Sequence, residues 1–182
     1  GSVLRAGGGG PGSPGPPSTR AGAGASPAAR RKVSAGKAAY VPASVWRLVD
    51  ANLNRAHEGL RVCEDVVRFG LAWPRPYRRL RAIRHGLDAQ LRRAGVRAAQ
   101  LVGARDSRCD PGRRARSPSV ASLQQLLAIN LQRTKEALRA LEEASRIFAP
   151  EATPGFQQLR FRAYDVEREL LLRLAAVRDR RS

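Results

Sequence analysis

From about residue 41 onward, the hydrophobic positions recur at alternating intervals of four and three residues. Within residues 45–70 they fall at positions 49, 53, 56, 60, 63 and 67, a spacing that places them on one face of an α-helix. The same spacing predicts a second helix over residues 76–94, a third over residues 119–148 and a fourth that begins at Thr153.

The signals between these helices predict how they are connected. Ser44 precedes the first helix as an N-cap, Gly95 follows the second, and residues 96–118 form a long polar connection. No stretch alternates apolar and polar residues as a half-buried strand does. The chain is therefore predicted to be all-α, an antiparallel four-helix bundle with one long functional loop.

Residues 1–40 differ from the rest in composition. They are rich in Gly, Pro, Ser and Ala and contain no Asp or Glu, since the first acidic residue is Asp50. Such a segment cannot bury enough apolar surface to offset the entropy that it would lose on ordering. We therefore predict a disordered leader over residues 1–40 and a folded domain over residues 41–182. An expression scar and an organellar transit peptide are alternative interpretations of the leader.

Charge and cysteine content narrow the class of protein. The 182 residues include 34 Lys and Arg against 15 Asp and Glu, a net charge of +19, and six of the basic residues lie in the leader. A basic excess of this size is typical of proteins that bind polyanions. No apolar run approaches the roughly 18 residues of a membrane span, and two cysteines do not make a disulfide framework. We expect a cytoplasmic protein without a membrane partner.

The first and third predicted helices contain copies of one sequence. Residues 52–70 and 130–148 align at an offset of 78, with eight of nineteen positions identical and six of those eight polar or charged. Core packing alone would preferentially repeat the leucines. The repeated polar pairs are Asn52/Asn130, Arg55/Arg133, Glu58/Glu136, Arg61/Arg139, Glu64/Glu142 and Arg68/Arg146.

This repeat has two interpretations. The functional one is a polar pocket between the two copies, with arginines for an anionic ligand and carboxylates for arginine or metal. The structural one is a pair of solvated helix faces, in which Glu58 pairs with Arg61 and Glu136 with Arg139 at the (i, i+3) spacing.

The long loop supplies further candidates. Its run ARDSRCDPGR, residues 104–113, contains Asp106 and Asp110 four residues apart, together with Arg105 and a Pro-Gly turn. Two carboxylates at this spacing can share a Mg²⁺ ion through water. Equally, each can cap a turn by accepting a backbone hydrogen bond.

Residues 50–64, DANLNRAHEGLRVCE, resemble the opening signature of a small all-helical hydroxymethylpyrimidine-phosphate kinase family. Members of that family occur alone or fused ahead of thiamine-phosphate synthase. The resemblance continues at residues 104–112, 130–143 and 159–167, and so covers nearly all of the folded domain. The chain departs from the pattern at His57, Cys63 and residues 108–109, none of which is a repeated charge.

The resemblance implies ATP-dependent phosphorylation of 4-amino-5-hydroxymethyl-2-methylpyrimidine phosphate to its diphosphate, for thiamine synthesis, with ATP and Mg²⁺ as cofactors. The residues are consistent with such a reaction. The nucleophile is a phosphate oxygen that is already anionic at pH 7, so no strong general base is required. Catalysis then consists of holding two phosphate groups in line and neutralising their charge.

We assign three roles on this basis. Arginines bind phosphates, carboxylates orient those arginines or hold Mg²⁺, and asparagines hydrogen-bond to substrate. The phosphate-binding residues are Arg55, Arg61, Arg105, Arg133 and Arg139. The carboxylates are Glu58, Glu136, Asp106 and Asp110, of which Asp106 and Asp110 form the metal site. The substrate-binding residues are Asn52, Asn130 and Asp110.

Rival classes of function stay open at this point. Small-molecule substrates are expected rather than nucleic acid, but the basic excess is also compatible with a nucleic-acid-binding bundle. The fusions in the family also imply a non-catalytic partner of thiamine-phosphate synthase. The oligomeric state is undetermined, with a homo-oligomer as one alternative.

Overall fold

The computed structural model describes Gly15, residues 40–114 and residues 119–180, so that most of the predicted leader lies outside the described residues. Within these ranges the chain forms five α-helices and no strand, which confirms the all-α prediction. The helices are α1 Ala43–Asp65, α2 Pro74–Arg93, α3 Ala98–Ala104, α4 Leu123–Phe148 and α5 Thr153–Asp179.

The four long helices form a ring in the order α1, α2, α5 and α4. At one end of the α1–α4 contact the rings of Trp46 and Phe148 lie 5.1 Å apart, and towards the other end the Cys63 thiol contacts the Leu127 carbonyl oxygen. These two helices are therefore antiparallel. The contacts in the other three pairs follow the same opposed order, so each helix is antiparallel to both of its neighbours in the ring.

α1 differs from the prediction at both ends. It begins at Ala43 with Pro42 in the cap position, so Ser44 lies inside the helix and does not cap it. At the other end the chain continues as the π-helix Val66–Gly70, where the Leu71 backbone amide donates to the carbonyl oxygen five residues earlier (3.0 Å). The hydrophobic period identifies the helix face, whereas backbone hydrogen bonds determine where the helix starts and stops.

The predicted loop over residues 96–118 is not entirely loop, because it contains α3. This helix packs on α1 and buries Leu101, and its seven residues are too few for a hydrophobic period to be recognised. After the loop, α4 begins at Leu123 rather than near residue 119. Ser122 caps it by accepting a hydrogen bond from the Gln125 backbone amide (3.1 Å).

The predicted apolar faces form the core. Gly95 adopts a φ of +69° after α2, in the left-handed region that glycine favours, and so ends the helix as expected. Over the part of the chain that the structure describes, none of the helices combines the length and the apolar composition that crossing a bilayer requires. The largest fully buried apolar side chains are Phe156, Leu60, Leu80, Ile83, Leu87, Leu127, Leu131, Leu138, Leu141, Leu170 and Val49.

Two glutamates lie within this apolar core. Glu64 on α1 and Glu142 on α4 are only 1% and 4% exposed, and they occupy equivalent positions of the repeat. Arg84 Nε on α2 donates to Glu64 (2.7 Å), and Arg160 Nε on α5 donates to Glu142 (2.7 Å). These hydrogen bonds raise the pKa of both arginines. Each pair ties two helices into a hairpin, α1 to α2 and α4 to α5.

The predicted (i, i+3) ion pairs are replaced by others in the structure. Arg61 lies 3.5 Å from Glu64, and Arg139 donates to Glu142 (2.8 Å), so both arginines pair with a glutamate on the C-terminal side. Neither pairs with Glu58 or Glu136. The buried carboxylates attract these arginines because an unpaired charge in the core is costly.

The buried ion pairs predict an unequal response to the loss of an arginine. We expect Arg84→Ala to lower the free energy of unfolding by about 3–5 kcal/mol, because Glu64 stays buried without its main partner. Arg146→Ala removes an exposed pair with Glu143 and should cost under about 1 kcal/mol. Urea unfolding followed by circular dichroism measures both values, and equal losses would contradict the structural role of the Glu64 pair.

The two cysteines predict a difference in reactivity. Burial of the Cys63 thiol raises its pKa to about 12, whereas Cys109 is exposed. Because the thiolate is the reactive form, we expect an aromatic disulfide reagent at pH 8 to titrate one thiol in the folded protein and two after denaturation. Rapid reaction of both thiols in the folded protein would be inconsistent with this packing.

Candidate functional site

The repeated polar residues meet in one place. A cavity of about 350 Å³ lies between α1 and α4, and we call it the central cleft. Every residue that α1 contributes to it has its repeat equivalent on α4, and the two residues are identical in three of the four pairs. The lining residues are Asn52, Arg55, Glu58 and Gly59 from α1, and Asn130, Arg133, Glu136 and Ala137 from α4.

The closeness of the two helices follows from a glycine. A Cβ atom on Gly59 would lie 2.5 Å from Thr134 Oγ1 and 2.9 Å from the Asn130 carbonyl oxygen. Only a residue without a side chain permits this approach. Because the helices are antiparallel and cross close to equivalent positions of the repeat, a polar residue near the crossing on α1 has its copy near the crossing on α4.

The two asparagines of the central cleft have the same hydrogen bonds. Asn52 Nδ2 donates to the Leu48 carbonyl oxygen (2.9 Å), and Asn130 Nδ2 donates to the Leu126 carbonyl oxygen (2.8 Å). The amide nitrogens are thereby engaged with their own helices. The amide oxygens accept no hydrogen bond from the described residues, so they are available to a ligand that donates one.

The charged residues of the central cleft are not engaged with one another. Arg55, Arg133 and Glu58 take part in no hydrogen bond or ion pair within the described residues, and Glu136 accepts a hydrogen bond only from Gln132 (2.7 Å). The buried pairs Glu64–Arg84 and Glu142–Arg160 differ in this respect, because each of their charged groups is hydrogen-bonded to a partner of opposite charge. Two guanidinium groups without partners at one cleft can bind an anion with several oxygens.

Two further cavities adjoin the central cleft. The first, the His57 pocket, has a volume of about 430 Å³ and shares Glu58 with the cleft, and Arg61 lines it. The second, the Lys135 pocket, has a volume of about 490 Å³ and shares Glu136 with the cleft, and Arg139 lines it. Arg61 and Arg139 were predicted to bind phosphate in the pocket between the copies, but the structure places them beside it, on the buried glutamates.

The predicted loop residues lie away from the central cleft. Arg105 donates to both oxygens of Asp50 on α1 (2.8 and 2.7 Å), and these hydrogen bonds raise its pKa. Asp106 accepts a hydrogen bond from the Cys109 backbone amide (3.2 Å) and lies 3.4 Å from Arg47. None of the residues that line the cleft comes from this loop.

The loop carboxylates already have partners within the protein. Asp110 accepts a hydrogen bond from the Gly112 backbone amide (2.8 Å), so both aspartates cap turns, which is the alternative that the sequence left open. Asp106 also faces an arginine. Within the described ranges no group of three or more His, Cys, Asp or Glu side chains is placed to hold a metal ion. A Mg²⁺ ion shared by these two aspartates stays a prediction.

Sequence reasoning missed the cross-helix partners of the repeat. Arg84 and Arg160 complete the buried pairs, and Asp50 anchors the loop through Arg105. The only signal for the first two is that Glu64 and Glu142 sit on apolar faces, which requires a cation from a neighbouring helix. Which arginine supplies that positive charge depends on how the helices pack against one another.

The fold and the cleft define a class of protein, an all-α domain of two related helical hairpins with a polar cleft where the hairpins meet. The chain belongs to the ThiD2 family, whose sequence profile matches residues 47–169. The match includes both repeats, the loop and the two buried ion pairs.

The relatives are longer proteins of thiamine biosynthesis. The chain is 36% identical over 130 residues to a thiamine-phosphate synthase of Nostoc punctiforme, 37% over 140 residues to one of Rhodopirellula baltica and 35% over 142 residues to one of Gloeobacter violaceus. These alignments cover 70%, 75% and 74% of this chain but only 35%, 37% and 40% of the relatives. Family and relatives together support a domain of thiamine biosynthesis. No solved structure matches the chain.

The helix contact at the central cleft predicts a difference between two glycines. Alanine is normally favoured over glycine within a helix. We nevertheless expect Gly59→Ala to lower the free energy of unfolding by about 1–3 kcal/mol, because its methyl group meets the Asn130 backbone.

Gly103→Ala in α3 is the matched control, since nothing lies within 4 Å of the position of its added Cβ atom. It should leave the free energy of unfolding unchanged or raise it. Urea unfolding of the two variants measures the difference. A Gly59→Ala variant as stable as Gly103→Ala would show that α1 and α4 do not need this close contact.

Proposed function

We propose that the central cleft transfers the γ-phosphoryl group of ATP to 4-amino-5-hydroxymethyl-2-methylpyrimidine phosphate, which becomes the diphosphate used in thiamine synthesis. The observation that carries this proposal is the pair Arg55 and Arg133. Both arginines line one cleft, one from each copy of the repeat, and neither has a partner among the described residues. Such a duplicated cationic site favours a reaction between two phosphate groups, because it can neutralise the charge of both.

The chemistry requires little beyond these two arginines. An oxygen of the acceptor phosphate forms a bond to the γ-phosphorus of ATP while the bond to the bridging oxygen breaks, and ADP leaves. The acceptor oxygen is already anionic near neutral pH, so no side chain has to remove a proton. The barrier then arises from bringing two anions together, and guanidinium groups in the cleft lower it by neutralising charge.

The asparagines suit the heterocycle of the acceptor. Its exocyclic amino group donates hydrogen bonds, and the amide oxygens of Asn52 and Asn130 are acceptors without partners on the described residues. One of them can therefore accept from the amino group while the phosphate reaches an arginine. The role predicted for the asparagines, substrate binding, is kept in this proposal.

Mg²⁺ fits the carboxylates of the central cleft better than those of the loop. Proteins usually bind Mg²⁺ through one or two carboxylates together with substrate phosphates. Glu58 and Glu136 line the cleft beside the arginines and would hold the ion, which when bound neutralises phosphate charge. We assign Arg105 and Asp106 to holding the loop on α1 and Asp110 to the turn at Gly112. Arg61 and Arg139 are assigned to pairing the buried glutamates.

A second candidate function follows from the length of the relatives. Because the chain spans only 34–40% of the length of the thiamine-phosphate synthases that it matches, this domain can serve a synthase without turning over ATP itself. In that case the central cleft would bind the pyrimidine diphosphate and not make it. The two candidates differ in whether the chain alone consumes ATP.

Alanine variants of the two free arginines test the proposal. With ATP, Mg²⁺ and the pyrimidine monophosphate, we expect diphosphate formation by the unaltered chain, followed by ³¹P NMR, and a loss of kcat/KM of about 10²-fold or more in Arg55→Ala and Arg133→Ala. The free energy of unfolding should change by less than about 0.5 kcal/mol, because neither arginine has a partner to lose. Arg146→Ala is the matched control and should keep full activity.

The unphosphorylated alcohol serves as the substrate control. Activity of the unaltered chain with no loss in either variant would contradict the assignment of the cleft. No diphosphate from the unaltered chain would contradict the kinase proposal. An increase in the rate of a separate thiamine-phosphate synthase on addition of the chain would then favour the second candidate.

A further inference from the structure

The two pockets beside the central cleft differ in their aromatic surface. Tyr164 lines the Lys135 pocket with 38% of its surface exposed, and Phe161 lies next to it with 52% exposed. The two rings meet edge to face with their centroids 5.8 Å apart. The residues that line the His57 pocket include no phenyl, phenol or indole ring.

The difference arises at equivalent positions of the two hairpins. Arg84 and Arg160 are equivalent because each donates to the buried glutamate of its own hairpin. Four residues further along each helix, α2 carries Asp88 and α5 carries Tyr164. Asp88 Oδ1 lies 3.0 Å from His57 Nε2, so a carboxylate contacts a lining residue of the His57 pocket, whereas an aromatic ring lines the Lys135 pocket. The repeat therefore duplicates the central cleft but not its surroundings.

The ring of Tyr164 is held in place from several sides. Arg160 Nη1 donates to its hydroxyl oxygen (3.3 Å), and Lys135 Nζ lies 5.5 Å from the ring centroid. Lys135 is in turn fixed by both carboxylate oxygens of Glu167 (2.7 and 2.6 Å). A side chain that is both exposed and positioned in this way offers a preformed surface, so a flat ligand loses little free energy in ordering it.

From this arrangement we infer that the Lys135 pocket takes the nucleoside of ATP, with the base stacked on Tyr164 and the phosphates directed past Glu136 into the central cleft. The inference rests on the proposed function and adds which side of the cleft each substrate occupies. Glu136 lines both cavities, so they adjoin at this side chain, and the proposed nucleotide extends from one into the other there. A volume of about 490 Å³ is within the range of small-molecule sites. Aromatic stacking accepts the face of any base.

Substitution of the tyrosine tests the inference. Loss of one stacking partner corresponds to a loss of binding affinity of about 5- to 150-fold. We therefore expect Tyr164→Ala to raise KM for ATP within that range and to leave KM for the pyrimidine monophosphate unchanged. Tyr164→Phe keeps the ring and should retain the KM of the unaltered chain. Asp88→Ala, at the equivalent position of the other hairpin, should not change KM for ATP.

Calorimetric titration of ATP without the acceptor gives a readout that does not depend on turnover. A rise in KM for the pyrimidine monophosphate instead of ATP, or no change in either, would overturn the inference while the kinase proposal stands. Binding of ATP that Tyr164→Ala weakens, in a chain that forms no diphosphate, would support the nucleotide pocket and overturn the proposed reaction. A chain that neither binds ATP nor forms diphosphate would overturn both.

Discussion

At Gly59, α1 lies so close to α4 that an added methyl group would come within 2.9 Å of the Asn130 carbonyl oxygen. The rest of the structure depends on this antiparallel contact between two copies of one helix. Because the copies cross at equivalent positions, every polar side chain that faces the crossing is presented twice. A single short pattern of Asn, Arg and Glu thus becomes a cleft with two acceptor oxygens, two guanidinium groups and two carboxylates.

The repeated charges separate into two kinds with different physical roles. Glu64 and Glu142 are buried, and each is neutralised by an arginine from the neighbouring helix, so their contribution is to the hairpins and not to chemistry. Arg55 and Arg133 stay exposed at the central cleft and without a partner among the described residues. The buried pairs fix the helices, and the fixed helices place both free arginines at the central cleft.

Periodicity predicted the four long helices, and the 78-residue repeat contains the asparagines, arginines and glutamates that line the cleft. It did not predict which charges pair, since Arg61 pairs with Glu64 rather than with Glu58, and the main partner of Glu64 is Arg84 on another helix. For the same reason Arg105 was assigned to phosphate although Asp50 engages it. Pairing across helices depends on packing, and the short α3 has too few residues to show a period.

Arginine side chains report most directly on whether the central cleft is where substrate phosphate binds. In the full chain labelled with ¹⁵N, titration with the pyrimidine diphosphate can be followed at the Nε–H resonances, assigned by single arginine-to-lysine variants. The account predicts that the resonances of Arg55 and Arg133 move together with one binding constant while those of Arg84 and Arg160 stay in place. Movement confined to Arg105 of the loop would contradict it.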